Sequence, residues 1–180
     1  MKTLYLLRHA KSGWDDAVAR DFDRPLNAKG KRAAQTIGRH LRDEGVAFDH
    51  VLASPALRVM ETLEAVATGY GRRLAPAWDK RLYLACVETL LELIRALPPE
   101  AGRALLVGHN PGLEELVLTL VPDAADQPLR DDVERKFPTA SIAELAFTAD
   151  DWAAIAPGAA TLQRFTRPRD LDPSLGPDEG

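Results

Sequence analysis

At three places in this chain an apolar run gives way to residues that can bind or attack an anion. Leu4-Tyr5-Leu6-Leu7 ends in Arg8-His9, Val51-Leu52-Ala53 leads through Ser54-Pro55 to Arg58, and Ala104-Leu105-Leu106-Val107-Gly108 ends in His109-Asn110-Pro111. One Arg-His pair at the end of a strand begins a loop as readily as a site, but three such junctions point to a shared chemistry. Guanidinium groups offer planar, paired donors that match phosphate oxygens. Unpaired N–H groups at the start of a helix add a positive dipole end. A tetrahedral dianion suits that set. A neutral imidazole whose Nδ1–H is held by a backbone carbonyl presents Nε2 as a lone pair for in-line attack on phosphorus. A second imidazole, if protonated, would stabilise charge on the transferring phosphoryl oxygens. The competing use of two histidines is a zinc site. That would want a third protein ligand, and two arginines beside it would repel the cation, so no metal is expected.

These residues can meet only if the strands lie side by side. The strand expected at 49–53 and the one at 104–108 are separated from the first by helical patterns, and strands alternating with helices indicate an α/β fold. The expected architecture is three layers, α/β/α, with a mostly parallel sheet and helices on both faces. In such a sheet, ligands bind beyond the carboxyl ends of the strands. Over 27–44 the apolar positions Ala33, Ala34, Ile37 and Leu41 recur at helical spacing, with Gly45 as the stop. Ser54-Pro55 and Asn110-Pro111 each read as an N-cap followed by proline at the first helical position. The helices they open carry Leu57, Met60, Leu63 and Ala67, and Leu113, Leu116, Val117 and Leu120. A further helix is expected over 87–97, a weak strand over 73–77, and two last strands over 141–147 and 160–165. Residues 123–136 are polar and read as irregular, and 13–25 as a long polar loop over the site. A single domain is expected over 1–171, followed by a loose tail, 172–180, rich in Pro, Gly and acids.

The chain has 180 residues, 46% hydrophobic and 28% charged, with a net charge of -4. That is the composition of an ordinary globular domain. A mildly acidic chain is poorly suited to nucleic acid or an anionic membrane surface, which both reward excess positive charge. The single cysteine, Cys86, excludes an internal disulfide framework and a Cys-rich zinc site. No secretory h-region and no run of about 20 apolar residues is visible, so a cytoplasmic protein is expected.

Arg8-His9-Ala10 resembles the RHG signature of the histidine phosphatase superfamily, with alanine in place of the usual glycine. Residues 54–62, Ser-Pro-Ala-Leu-Arg-Val-Met-Glu-Thr, are similar to its SP-x-x-R-x-x-x-T segment, and Val107-Gly108-His109-Asn110-Pro111 to its second histidine motif. The short chain, the early Arg-His-Ala-Lys-Ser and Phe137-Pro138-Thr139-Ala140-Ser141 look most like the SixA-type phosphohistidine phosphatases. The resemblance runs from the first strand to about Phe147. It implies a phosphoglycerate mutase-like fold and a transiently phosphorylated His9. It also implies a phosphate pocket of Arg8, Arg58 and His109, hydrolysis of the phosphoenzyme by water, and no metal or organic cofactor. Arg24, before Pro25-Leu26, resembles an arginine of many members, although a surface pairing with Asp21 or Asp23 explains it equally well. Lys11 and Ser12 read as loop residues, and His40 and His50 as structural or exposed.

Larger members supply a general acid, usually a glutamate, after the second helix. The matching stretch here is Trp78-Asp79-Lys80-Arg81-Leu82-Tyr83, where Asp79 is only an approximate match; Glu88 and Glu144 are the other candidates for reaching the pocket. Without an acid an alkoxide leaves with difficulty, whereas a phosphoramidate nitrogen leaves more easily once protonated. A histidine-phosphorylated protein is therefore the expected substrate and partner. A phosphatase or mutase for a small phosphorylated metabolite is the enzymatic alternative. A phosphoprotein-binding regulator without turnover is the alternative of another class, disfavoured by retention of both histidines and both arginines.

Overall fold

The computed structural model describes residues 1–13 and 20–177; positions 14–19 of the expected long loop and 178–180 of the expected tail lie outside the described residues. The chain runs β1 Lys2–Arg8, α1 Ala28–Asp43, β2 His50–Ala53, α2 Leu57–Tyr70, β3 Ala77–Trp78, α3 Val87–Arg95, β4 Arg103–Gly108, α4 Gly112–Leu120, α5 Pro128–Arg135, β5 Ile142–Phe147, β6 Ala160–Thr166 and α6 Pro168–Leu171. One sheet has the order β3-β2-β4-β1-β5-β6. The first four of these strands are mutually parallel, while β5 pairs antiparallel with both β1 and β6. The sheet is thus mixed and mostly parallel, with its antiparallel part at one edge.

Alternation along the central strands builds the three layers, because successive side chains point to opposite faces. Leu4, Leu6 and Leu106 are buried against α3, α4 and α5. Tyr5, Leu7, Leu105 and Val107 are buried against α1 and α2. The apolar stripe expected for α1 is the buried one, and Asn27 caps the helix by accepting from the Gly30 N–H at 2.7 Å. Gly30 itself lies against the Lys11 backbone so closely that a Cβ would come 2.1 Å from the carbonyl oxygen. Glycine there lets α1 press on the segment that follows β1. Gly112 does the same for the start of α4 against the Ala85 carbonyl, at 2.2 Å.

Several local expectations are corrected. The polar stretch 123–136 contains α5, with Pro128 in its first turn and Val133 buried. Its buried Arg130 donates from Nε to the Val121 carbonyl and from Nη2 to that of Leu118, both at 3.1 Å. It thereby satisfies carbonyls at the end of α4 that the helix leaves unpaired. The strand expected over 73–77 is only the two residues of β3. Ser54 is not an N-cap, since α2 begins at Leu57 with Ala56 in the cap position, and α4 begins after Pro111. Part of the expected loose tail is seated. Residues Pro173–Leu175 form a 3-10 turn, Leu175 is buried, and Lys29 Nζ donates to the Gly176 carbonyl at 2.6 Å. No described helix is long and apolar enough to cross a membrane.

Candidate active site

Register brings the three junctions together. Arg8 of β1 pairs with Gly108 of β4, and Ala53 of β2 with Val107. The next residues, His9, His109 and Ser54, therefore leave the carboxyl edge of the sheet side by side. The two imidazole centroids are 5.3 Å apart. The backbone is pinned by His9 N–H to the Gly108 carbonyl, 3.0 Å, and by Ser54 N–H to the Val107 carbonyl, 3.1 Å. Arg8, His9, Arg58 and His109 form one cluster, as their spacing predicts.

His9 is buried, and its Nδ1 lies 2.7 Å from the carbonyl of Ala10. A carbonyl only accepts, so Nδ1 carries the hydrogen and Nε2 the lone pair. Burial pushes the imidazole down to about 3; the charges of His109, Arg8 and Arg58 act the same way, and the Ala10 carbonyl opposes them. His9 is therefore neutral and able to act as a nucleophile over the whole ordinary pH range. Ala10, in place of glycine, is fully buried and is not among the described non-glycine residues with positive φ, so the methyl group requires no left-handed backbone. Its N–H donates to Thr62 Oγ1 at 2.8 Å, and that hydroxyl donates to the Arg58 carbonyl at 2.6 Å. The threonine of the second motif thus ties the segment after β1 to the first turns of α2.

The two arginines flank this histidine. Arg8 Nη1 donates to the Phe137 carbonyl at 2.9 Å, which also accepts from Asn110 Nδ2 at 3.0 Å. Arg58, 2% exposed, donates from Nη1 to the Asp21 carbonyl, 2.8 Å, and from Nη2 to Asp21 Oδ2, 3.0 Å, and to His109 Nδ1, 3.3 Å. Nε of Arg8 and Nε of Arg58 are buried with no acceptor in the protein. Two orphaned guanidinium donors cost folding free energy, and a tetrahedral oxyanion is the group whose geometry they match. His109 is pushed down to about 4, by burial first and then by Arg58. Its Nε2 lies 2.8 Å from Ser54 Oγ.

Sequence reasoning missed three groups here. Asp21 is the hub of the pocket rim: besides Arg58 it accepts from Arg24 Nε, 2.8 Å, and from the Tyr83 hydroxyl, 2.5 Å. Those donors, Tyr83 foremost, hold its carboxyl down at about 2. Tyr83 stands edge-on to His109 with centroids 5.3 Å apart. Glu114, in the first turn of α4, interacts electrostatically with Arg8 and is raised by burial. The signal for Asp21 was an acid-rich loop directly after the first motif; Tyr83 closes the stretch 78–83, which was read only for a carboxyl, and Glu114 lies outside every motif. Arg24 makes the Asp21 pairing that its spacing allowed and also donates to Ser12 Oγ at 2.7 Å.

The carboxylates expected as possible acids are engaged elsewhere. Asp79 is bound by Arg81 through Nε at 3.1 Å and Nη2 at 2.7 Å. Glu88 is exposed at the start of α3, where its own backbone N–H lowers its carboxyl. Glu144 accepts from Tyr5 at 2.8 Å and pairs with Arg164 at 3.3 Å. Among the described residues no group of three or more His, Cys, Asp or Glu is arranged to hold a metal ion.

The sequence model of the histidine phosphatase superfamily (branch 1) matches residues 4–83. An uncharacterized protein of Mycobacterium tuberculosis is 39% identical over 165 residues, covering 91% of this chain and all of its own length. Among solved structures, a protein of Nakamurella multipartitia provisionally designated phosphohistidine phosphatase SixA is 33% identical, with a TM-score of 0.81 over 93% of this chain and 96% of its own. A protein histidine phosphatase SixA solved with tungstate superimposes with a TM-score of 0.76 over 94% of this chain and 99% of its own; at 24% identity that likeness speaks for the fold alone.

Proposed function

The chain belongs to the histidine phosphatase superfamily and is a phosphatase; from that premise we propose that it dephosphorylates a phosphohistidine-bearing protein through a phosphoryl group carried on His9. The observation that carries the two-step route is the pair of acceptorless, buried Nε donors of Arg8 and Arg58 on either side of a histidine fixed with its Nε2 lone pair available. In the first step Nε2 of His9 forms a bond to phosphorus while the bond from phosphorus to the substrate imidazole breaks. The electron pair of that bond leaves on the substrate nitrogen, whose other ring nitrogen takes or already holds a proton. Water then attacks the phosphorus of phospho-His9, a proton is lost, and orthophosphate departs, restoring neutral His9. Arg8 and Arg58 hold the equatorial oxygens, and His109 joins them as a donor once the charge of the entering dianion lets its ring take a proton, with Arg24 at the rim; no metal or organic cofactor takes part. An imidazole leaving group supports the substrate assignment, because Asp79, Glu88 and Glu144 are all committed away from an acid's role. A cytoplasmic setting accords with the single free thiol.

One observation favours a second reading. Burial raises the Glu114 carboxyl against the lowering charge of Arg8, and were it to act as a general acid the pocket would serve a small phosphate ester or a mutase reaction.

Labelled phosphohistidine protein, mixed with the phosphatase and quenched in base, is expected to leave acid-labile phosphate on the wild-type chain and none on His9→Ala. Turnover with no phosphoenzyme in rapid quench would overturn the covalent route. Sugar phosphates turned over as fast as phosphohistidine would overturn the substrate assignment.

A further inference from the structure

A cavity of about 510 Å³ opens beside the site and shares Arg8 with it. Its other charged lining residues are Lys11, Lys29, Lys136, Arg167 and Arg169, and no carboxylate lines it among the described residues. In a chain of net charge -4 this is a marked local reversal of sign. Not all of that charge is available. Arg167 is paired with Asp170 at 3.0 Å, whereas no ion pair reaches Lys136 or Arg169, both exposed, among the described residues. Leu175 and Pro168 supply an apolar wall.

Resting on the phosphatase reading above, we propose that this groove binds an acidic stretch of the substrate protein flanking its phosphohistidine. The contrast between the groove and the His9 cluster carries the choice of ligand. The His9 cluster suits one compact anion, with two buried guanidinium Nε donors that have no acceptor in the protein. The groove instead spreads its cations over the segment after β1, α1, the turn before Pro138, and α6. Lys136 and Arg169, which no ion pair reaches among the described residues, are long, exposed side chains. Such charges act singly with little energy and together by steering and orienting a chain of opposite charge. Because Arg8 belongs to the His9 cluster and also lines the groove, carboxylates lying next to the phosphohistidine enter the groove when the phosphoryl group enters the site. The class of partner is thus a phosphohistidine protein with an aspartate- and glutamate-rich surface around the modified residue.

Two synthetic phosphohistidine peptides of equal length separate the ideas, one flanked by Asp and Glu, the other by Asn and Gln. The wild-type chain is expected to show a KM about tenfold lower for the acidic peptide at low salt, with the advantage lost in the double variant Lys136→Glu/Arg169→Glu. On the amide-flanked peptide kcat and KM are expected to be unchanged by that variant. Equal KM for the two peptides on the wild-type chain overturns the proposal. Binding of the unphosphorylated acidic peptide, followed by fluorescence anisotropy, judges the groove without turnover: binding lost in the double variant supports it, and no binding overturns it. Tripolyphosphate bound through Lys136 and Arg169 where the acidic peptide is not would assign the groove to a small polyanion instead, and overturn it too. Failure to hydrolyse either phosphopeptide would count against the phosphohistidine assignment, and the anisotropy arm would still decide the groove.

Discussion

Arg58 donates to Nδ1 of His109 at 3.3 Å, and that contact sets the tautomer of the second histidine. With Nδ1 accepting, the ring hydrogen sits on Nε2 and is donated to Ser54 Oγ at 2.8 Å. The serine that reads as a helix cap in the sequence is thus a positioning residue for His109. On the proposed route Arg58→Ala removes a buried cation that binds the phosphoryl oxygens and is expected to lower kcat by about 10²–10³-fold. Arg58→Lys should recover little of it, since a point charge cannot copy the fork. Ser54→Ala is expected to cost about 1–3 kcal/mol of stability, because it leaves the His109 Nε2–H buried without an acceptor. Its loss of activity should be smaller than that of Arg58→Ala. Denaturant titration beside steady-state kinetics on the three variants checks the order.

On the proposed route Asp21 competes with the phosphoryl group for Arg58. Its carboxylate takes donors from Arg58, Arg24 and Tyr83, and those donors keep it ionised down to about pH 2. A dianion entering beside Arg58 meets that negative charge. Asp21→Asn removes the charge and keeps an acceptor oxygen, so inhibition by inorganic phosphate or tungstate should tighten several-fold. Weaker inhibition would mean that Asp21 chiefly holds Arg58 in place. Titration of the inhibition constants at neutral pH reads the sign directly.

Both histidines make the fold acid-sensitive. His9 is held at about 3 and His109 at about 4 in the folded chain, against about 6.5 when unfolded. Above pH about 6.5 neither state binds these protons and the contribution is fully present. As pH falls below that value the unfolded chain takes up protons that the folded chain refuses, so stability is lost progressively towards pH 4 and 3. At pH 4.5 the loss is expected to reach about 2–3 kcal/mol per histidine. Unfolding free energies at pH 7.5 and 4.5 measure it, and His9→Gln/His109→Gln should flatten the slope between them.

The cluster of Arg8, His9, Arg58 and His109 was legible because each residue directly follows or closely trails an apolar strand, and parallel register then forces the strand ends together. What joins these residues to one another was not legible. Asp21 reaches Arg58 across 37 positions and Tyr83 reaches Asp21 across 62, and neither contact leaves a periodic trace. The helix α5 was missed for a related reason. Five of its eight residues are charged, and it is held by Arg130 donating to the carbonyls of Leu118 and Val121, a tertiary contact that local composition does not record. The seated end of the chain depends likewise on Lys29 reaching the Gly176 carbonyl from α1.

Glu114 decides between the two substrate readings. Burial raises its carboxyl while the Arg8 charge lowers it, and burial prevails. Were it the acid that protonates an ester oxygen, turnover of an alkyl phosphate would fall as pH rises through its raised pKa, and Glu114→Gln would remove most of that turnover. A phosphohistidine substrate brings a leaving group that departs as neutral imidazole and does not need that proton. The expected outcome is therefore an unchanged kcat for Glu114→Gln on a phosphohistidine peptide, with alkyl phosphate turnover slow in both proteins. The pH dependence of kcat on the two substrates, measured for wild-type and variant, makes the comparison. A variant that loses phosphohistidine turnover in step with ester turnover would place Glu114 in the chemistry of both and remove the leaving-group argument for phosphohistidine.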